Sequence, residues 1–219
     1  MAGRLIVFEG TDGSGKSTQF ALARRALEAA GRDFRTFVYP QYQEESSALL
    51  RMYLSGQFGT HPSDVNAYAA STFYAVDRYA GYKRFWGAYY EQGGLMVLDR
   101  YTTSNAVHQA SKLPVSEREK FFRWLADFEY GILGLPAPDL VLWLDMPTPL
   151  AVANLRRREH VTHTTGDIHE VDEAYLAACR QAAAQAADFF GWQRVSCTDG
   201  EGALRTPEDI HREILSYIL

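Results

Sequence analysis

Residues 10–18 read Gly-Thr-Asp-Gly-Ser-Gly-Lys-Ser-Thr and match G-x-x-x-x-G-K-[ST], a pattern that wraps backbone amides around phosphate oxygens. Gly10, Gly13 and Gly15 would let successive N–H groups of a loop running through Asp12 and Ser14 to Thr18 curl around an anion. The N-terminus of a following helix would add partial positive charge. In this chemistry Lys16 would reach the β- and γ-phosphates of a bound nucleotide, and the Ser17 hydroxyl would ligate Mg²⁺. A glycine turn could match by accident, but the flanks argue against it. Leu5, Ile6, Val7 and Phe8 form an apolar run with the character of a buried parallel strand. Phe20, Leu22, Ala23, Ala26 and Leu27 then recur with helical spacing, so strand, glycine loop and helix follow in the order the motif needs.

Strand-like apolar runs recur at 4–8, 35–39, 95–98, 140–144 and 192–197, separated by helical patterns. The longest of these, about 64–91, is rich in aromatics. Such alternation implies right-handed crossovers and an α/β fold, a five-stranded parallel sheet with helices on both faces. Ligands of these sheets bind at the carboxyl ends of the strands. The residues to read are therefore the glycine loop, Tyr39-Pro40-Gln41-Tyr42, Asp99-Arg100-Tyr101 and Asp145. Polar and aromatic groups converging on one edge favour an enzyme over a scaffold. Asp99 and Asp145 are both candidates for the acid that orders magnesium water. Asp99 is preferred, because Arg100 beside it would clamp a phosphate bidentately. The alternative is a structural Asp–Arg pair at a sheet edge. Asp145 is expected to cap the helix that begins near Thr148.

The 219 residues suffice for one domain, taken as 1–219. A formal net charge of −5 disfavours broad adhesion to nucleic acid. Two cysteines, Cys179 and Cys197, and no C-x-x-C pair indicate neither a disulfide framework nor a zinc site. The chain opens without a signal-like apolar segment, and no apolar run approaches the ~20 residues of a membrane span, so the expectation is a soluble cytoplasmic protein.

Four segments together resemble thymidylate kinase, a nucleoside monophosphate kinase family with the P-loop NTPase fold and a mobile lid. They are Phe8-Glu9-Gly10-Thr11-Asp12-Gly13-Ser14-Gly15-Lys16-Ser17-Thr18, Tyr39-Pro40-Gln41-Tyr42, Asp99-Arg100-Tyr101 followed by Ser104-Asn105-Ala106, and Asp167-Ile168-His169-Glu170. The resemblance spans nearly the whole chain. It implies transfer of the ATP γ-phosphoryl group to dTMP, with Mg²⁺ and within a homodimer whose contacts fall around 64–91 and 102–130. An acceptor phosphate with a second pKa of about 6 is already mostly a dianion at neutral pH, so the chemistry needs no general base.

Tyr74 and Arg78 lie four apart on one helical face. The resemblance implies that Tyr74 stacks on thymine and Arg78 meets its carbonyl edge, with Phe73 one residue out of register. Tyr74 and Tyr79 are otherwise readable as core or interface aromatics. The resemblance also implies that Asp12 bonds the sugar 3′-hydroxyl, and that Tyr39, Tyr42, Asn105, His169 and Glu170 belong to the acceptor site. At His108 the chain departs from the family's Tyr or Phe, which fills the space of a ribose 2′-hydroxyl. An imidazole there would leave room for that hydroxyl; a plain helix-surface histidine is the alternative. The resemblance implies a catalytic arginine in the loop or in the lid; since the loop carries no basic residue before Lys16, it is expected from the lid, about 156–170, with Arg156, Arg157 and Arg158 as candidates and a place over adenine as the alternative for Arg156. Three arginines near a helix C-terminus also read as dipole-complementing surface charge.

The rivals are a deoxynucleoside kinase or another nucleoside monophosphate kinase, a GTP-dependent switch and a non-catalytic nucleotide-binding protein. Deoxynucleoside kinases usually carry Glu-Arg-Ser where this chain has Asp99-Arg100-Tyr101. A switch protein would need Asn-Lys-x-Asp, and no asparagine here begins one.

Overall fold

A computed structural model describes residues 2–59, 61–162 and 173–219, apart from the side chains of Pro62 and of residues 158–162. The strands are β1 (Arg4–Glu9), β2 (Phe34–Val38), β3 (Leu95–Asp99), β4 (Leu140–Asp145) and β5 (Gln193–Ser196). Between β1 and β2 runs α1 (Lys16–Ala29); α2 (Ala48–Leu54), α3 (Ala67–Gly81) and α4 (Gly87–Glu91) lead to β3. Next come α5 (Thr103–His108) and α6 (Val115–Ala126), then α7 (Thr148–Thr162) and α8 (Glu173–Phe190) after β4, and α9 (Pro207–Ile218) closes the chain. The five strands form one parallel sheet in the order β2-β3-β1-β4-β5. Much of the expected lid, including His169 and Glu170, lies outside the described residues.

The apolar run of β1 is continuous because both of its faces are covered. Ile6 and Phe8 pack on the side of α1 and α9, with Leu27, Ile210 and Ile214. Leu5 and Val7 face the opposite layer, with Tyr39, Trp86 and Tyr101. This is the two-residue alternation of a strand, read in a sequence with no polar face to reveal it. With β3 on one side of β1 and β4 on the other, the chain reverses its winding at β1. The crevice outside the carboxyl ends opens at that point.

The aromatic stretch expected as one helix over 64–91 is divided. Pro62–Asp64 make a 3₁₀ turn, Asn66 caps α3 by accepting the Ala69 N–H at 2.9 Å, and a π-turn at Tyr82–Trp86 separates α3 from α4. Gly81 allows Tyr39 to approach closely: a Cβ there would sit 2.5 Å from the Tyr39 hydroxyl. That hydroxyl donates to the Arg78 carbonyl and accepts from Trp86 Nε1, each at 3.0 Å. The end of β2 is thereby tied to the middle of the aromatic helix.

Asp145 has a different role from the helix cap expected for it. Its carboxylate is buried between two arginines, accepting from Arg180 Nε at 2.7 Å and pairing with Arg194. A buried carboxylate needs a charged partner more than a helix start needs a cap, and α8 and β5 bring two within reach.

Replacing Ile214 by alanine should lower the unfolding free energy by about 2–5 kcal/mol, since the side chain is fully buried against β1. Urea denaturation measures it, with the exposed Ile132→Ala as the control expected to stay within about 0.5 kcal/mol of wild type.

Candidate active site

The glycine loop leaves β1 and turns into α1 through two left-handed glycines, Gly13 at φ 79° and Gly15 at φ 83°. A Cβ on Gly13 would collide with the Ala151 carbonyl, so glycine is what lets the loop sit against α7. Asn154 Nδ2 holds the Gly13 carbonyl at 2.9 Å from the same helix. At Gly15 nothing lies within 4 Å of a Cβ position, which leaves the mouth open. The buried Ser14 Oγ has no hydrogen-bond partner. The result is a concavity of about 240 Å³ lined by residues 11–18 together with Asn154 and Arg157.

Lys16 and Asp99 form a buried ion pair at the floor of this cradle. Burial, and then the charge of Arg100, lowers the Lys16 pKa, while Asp99 opposes the fall. Ser17 and Thr18 are exposed beside them. The Ser17 hydroxyl and the Asp99 carboxylate are oxygen donors of the kind a hard cation takes, and they fit Mg²⁺. Among the described residues no cluster of three His, Cys, Asp or Glu side chains is arranged to hold a metal.

Arg100 follows β3 with φ 64°, the one non-glycine described residue with positive φ, a conformation that costs about 1–2 kcal/mol. Its N–H extends the sheet ladder to the Phe8 carbonyl at 3.1 Å. Nη2 donates to Asp12 Oδ1 at 2.6 Å, Nη1 donates to His108 Nε2 at 3.0 Å, and Glu9 Oε1 lies 3.8 Å away. Burial works against the Arg100 charge, but Asp12, then Glu9 and Asp99, outweigh it and raise its pKa.

A second cavity of about 270 Å³ opens beyond Arg100 and meets the phosphate cradle at Asp12, which lines both. Arg78 and Asn105 form its buried floor. The Arg78 fork donates to Glu129, Nε to Oε2 at 2.7 Å and Nη2 to Oε1 at 2.6 Å. Asn105 Nδ2 donates to Glu129 Oε1 at 3.1 Å and to the Ser71 carbonyl at 3.2 Å. Tyr74, one turn before Arg78, lines the cavity, whereas Phe73 packs with Tyr53 and Phe58. Tyr39 contributes a buried wall and Tyr42 an exposed rim. Asp77 anchors that rim, accepting the Gln41 N–H at 2.9 Å and the Ser46 hydroxyl at 2.7 Å. His108 lines the cavity with both ring nitrogens engaged inside the chain, by Arg100 and by Tyr175.

Of the three arginines singled out on α7, Arg156 and Arg157 are exposed and Arg157 lines the cradle. The side chain of Arg158 lies outside the described residues, as do His169 and Glu170. Sequence reasoning missed Glu9, Glu129, Gln109 and Tyr175. Glu9 had a signal, since a carboxylate at the end of an apolar strand beside a phosphate loop calls for a partner. It accepts from the Thr103 and Ser104 hydroxyls at 2.6 and 2.7 Å. Gln109 lines the second cavity with a buried, unpartnered Oε1. Glu129 and Tyr175 carried no local mark.

Two joined cavities, one built for phosphates and one with aromatic and hydrogen-bonding walls, define a P-loop phosphotransferase that holds a donor and an acceptor together. The thymidylate kinase family profile matches residues 8–198, and the chain belongs to that family. It is 35% identical over 161 residues to thymidylate kinase of Mycobacterium tuberculosis, covering 70% of this chain and 71% of that one. Against the human thymidylate kinase it is 32% identical over 144 residues, covering 66% of this chain and 61% of that one. The fold is shared with the solved thymidylate kinase of Candida albicans, at TM-score 0.68 and 19% identity over 99% of this chain and 91% of that one.

Lys16→Ala should lower kcat by about 10²-fold or more, the scale of one lost electrostatic contact at a transition state; steady-state phosphoryl transfer measures it. Glu129→Ala should destabilise the fold by about 3–5 kcal/mol, because it strands the buried Arg78 charge. Denaturant unfolding reads that loss.

Proposed function

We infer that this chain transfers the γ-phosphoryl group of ATP to dTMP, giving dTDP and ADP. The observation that carries the reading is the junction of the two cavities at Asp12, with Arg100 on one side and Lys16–Asp99 on the other. Attack by a phosphate dianion on the γ-phosphorus of a phosphoanhydride, with ADP leaving, brings two anions together, so positioning and charge neutralisation supply the rate. Lys16 faces the donor. Arg100 holds the acceptor phosphate with its remaining donors, and Arg157 is the described α7 arginine best placed to join over the cradle. Ser17 and Asp99 would hold a Mg²⁺ ion, which would supply further charge neutralisation.

The acceptor base is read on the cavity floor. Tyr74 offers its face, and Arg78 and Asn105 offer polar groups to a pyrimidine edge. Asp12 accepts the sugar 3′-hydroxyl as well as Arg100, which a carboxylate with about four lone-pair sites allows. Tyr42 closes the rim, with His169 and Glu170 assigned to the same side by their place in the motif. Val76, Tyr79 and Phe85 are exposed apolar groups around α3 and support a homodimer through the helices at 64–91 and 102–130. The partners are thus nucleotides and a second copy of the chain, in the cytoplasm. No described helix is long and apolar enough to cross a membrane.

The decisive experiment compares dTMP, other nucleoside monophosphates and thymidine as acceptors in an ADP-release assay with Mg²⁺ and ATP. dTMP should be preferred; turnover of thymidine without dTMP would mark a deoxynucleoside kinase. Arg100→Ala should raise the dTMP KM and lower kcat together, by about tenfold or more in kcat/KM, because one guanidinium serves ground state and transition state.

A further inference from the structure

We propose that His108 is a positioning residue for Arg100: its imidazole holds one arm of the guanidinium while Tyr175 holds the imidazole. The proposal rests on the reading that Arg100 meets the acceptor phosphate. His108 ends α5 and Tyr175 opens α8, 67 residues away, so the brace links two helices to the end of β3. Arg100 Nη1 lies 3.0 Å from His108 Nε2, and His108 Nδ1 lies 3.1 Å from the Tyr175 hydroxyl. The two rings are nearly parallel, 28° apart with centroids 6.2 Å apart.

The chemistry of the pair fixes the proton. A guanidinium only donates, so Nε2 must present its lone pair. The neutral ring then carries its hydrogen on Nδ1, where it donates to the Tyr175 oxygen, with Cys179 Sγ 3.6 Å away. A single tautomer satisfies both contacts. Burial raises the Tyr175 pKa well above its ordinary value and that of Cys179 to about 11, so both neighbours stay neutral at neutral pH. With Asp12 on Nη2 and His108 on Nη1, both arms of the fork are held before substrate arrives. A long, flexible side chain in a strained backbone position gains most from such a brace. An aromatic ring without nitrogens at 108 would fill the space and leave Nη1 without this contact.

The test uses the full chain. His108→Phe keeps the ring and removes both nitrogens, whereas His108→Gln keeps an acceptor that reaches Arg100. His108→Phe should raise the dTMP KM about tenfold, the scale of one charge-assisted hydrogen bond, with the ATP KM within about twofold. His108→Gln should stay within about threefold of wild type. An unchanged dTMP KM in His108→Phe, a His108→Gln enzyme equally impaired, or parallel rises in both KM values would overturn the proposal. If His108→Phe does not fold, Tyr175→Phe replaces it: a rise of about threefold in dTMP KM supports the brace and no rise overturns it. A second readout needs no substrate. ¹⁵N shifts of His108 in the wild type should show Nδ1 protonated and Nε2 bare; the opposite tautomer would refute the brace. Absence of dTMP turnover in the wild type would count against the acceptor assignment alone, leaving this spectroscopic arm decisive.

Discussion

Phe8 and Asp99 are partners in the parallel pairing of β1 with β3, and that register places the glycine loop beside the Asp99-Arg100 step. Lys16 reaches Asp99 and Arg100 reaches Asp12 because the two strands end level with each other. A slip of one residue would turn Asp99 to the opposite face and separate the glycine loop from Arg100. Burial of both faces of β1 makes such a slip costly, since every residue from Leu5 to Phe8 would exchange its packing partners.

Within that frame the charges are held against one another. Glu9, Asp12 and Asp99 surround Lys16 and Arg100, so the cations are oriented by the protein's own carboxylates. Dipoles and charges aimed before the reaction need no reorganisation during it, which is the main electrostatic advantage available to a phosphoryl-transfer site. The shifts follow this arrangement: burial and Arg100 depress the Lys16 pKa, and the acids around Arg100 raise its own.

The floor of the second cavity solves a different problem. Arg78 is enclosed, and an enclosed charge demands a partner. Glu129 supplies it with a two-pronged contact and receives Asn105 on the same oxygen. A buried pair of this kind adds little net stability over an apolar replacement. Its effect is geometric: it fixes the Arg78 plane and the Asn105 amide relative to the cavity that Tyr74 lines.

Much of this was legible in the residues alone. The strand–loop–helix order, five strands, the phosphate loop and the Asp99-Arg100 step are local patterns, in which spacing along the chain and backbone geometry carry the same information. The preference for Tyr74 over Phe73 came from the family resemblance, which pairs an aromatic with an arginine four residues on, and Tyr74 is the one of the two that lines the cavity. What the tertiary structure decided lies between elements far apart in sequence. Glu129 meets Arg78 across 51 residues and Tyr175 meets His108 across 67. Asp145 takes Arg180 and Arg194 in place of a helix cap. No local pattern marks such pairs, because they depend on which helix faces meet once the sheet has ordered its strands. Periodicity tells a residue which side of its own element it occupies; only packing tells it what stands opposite.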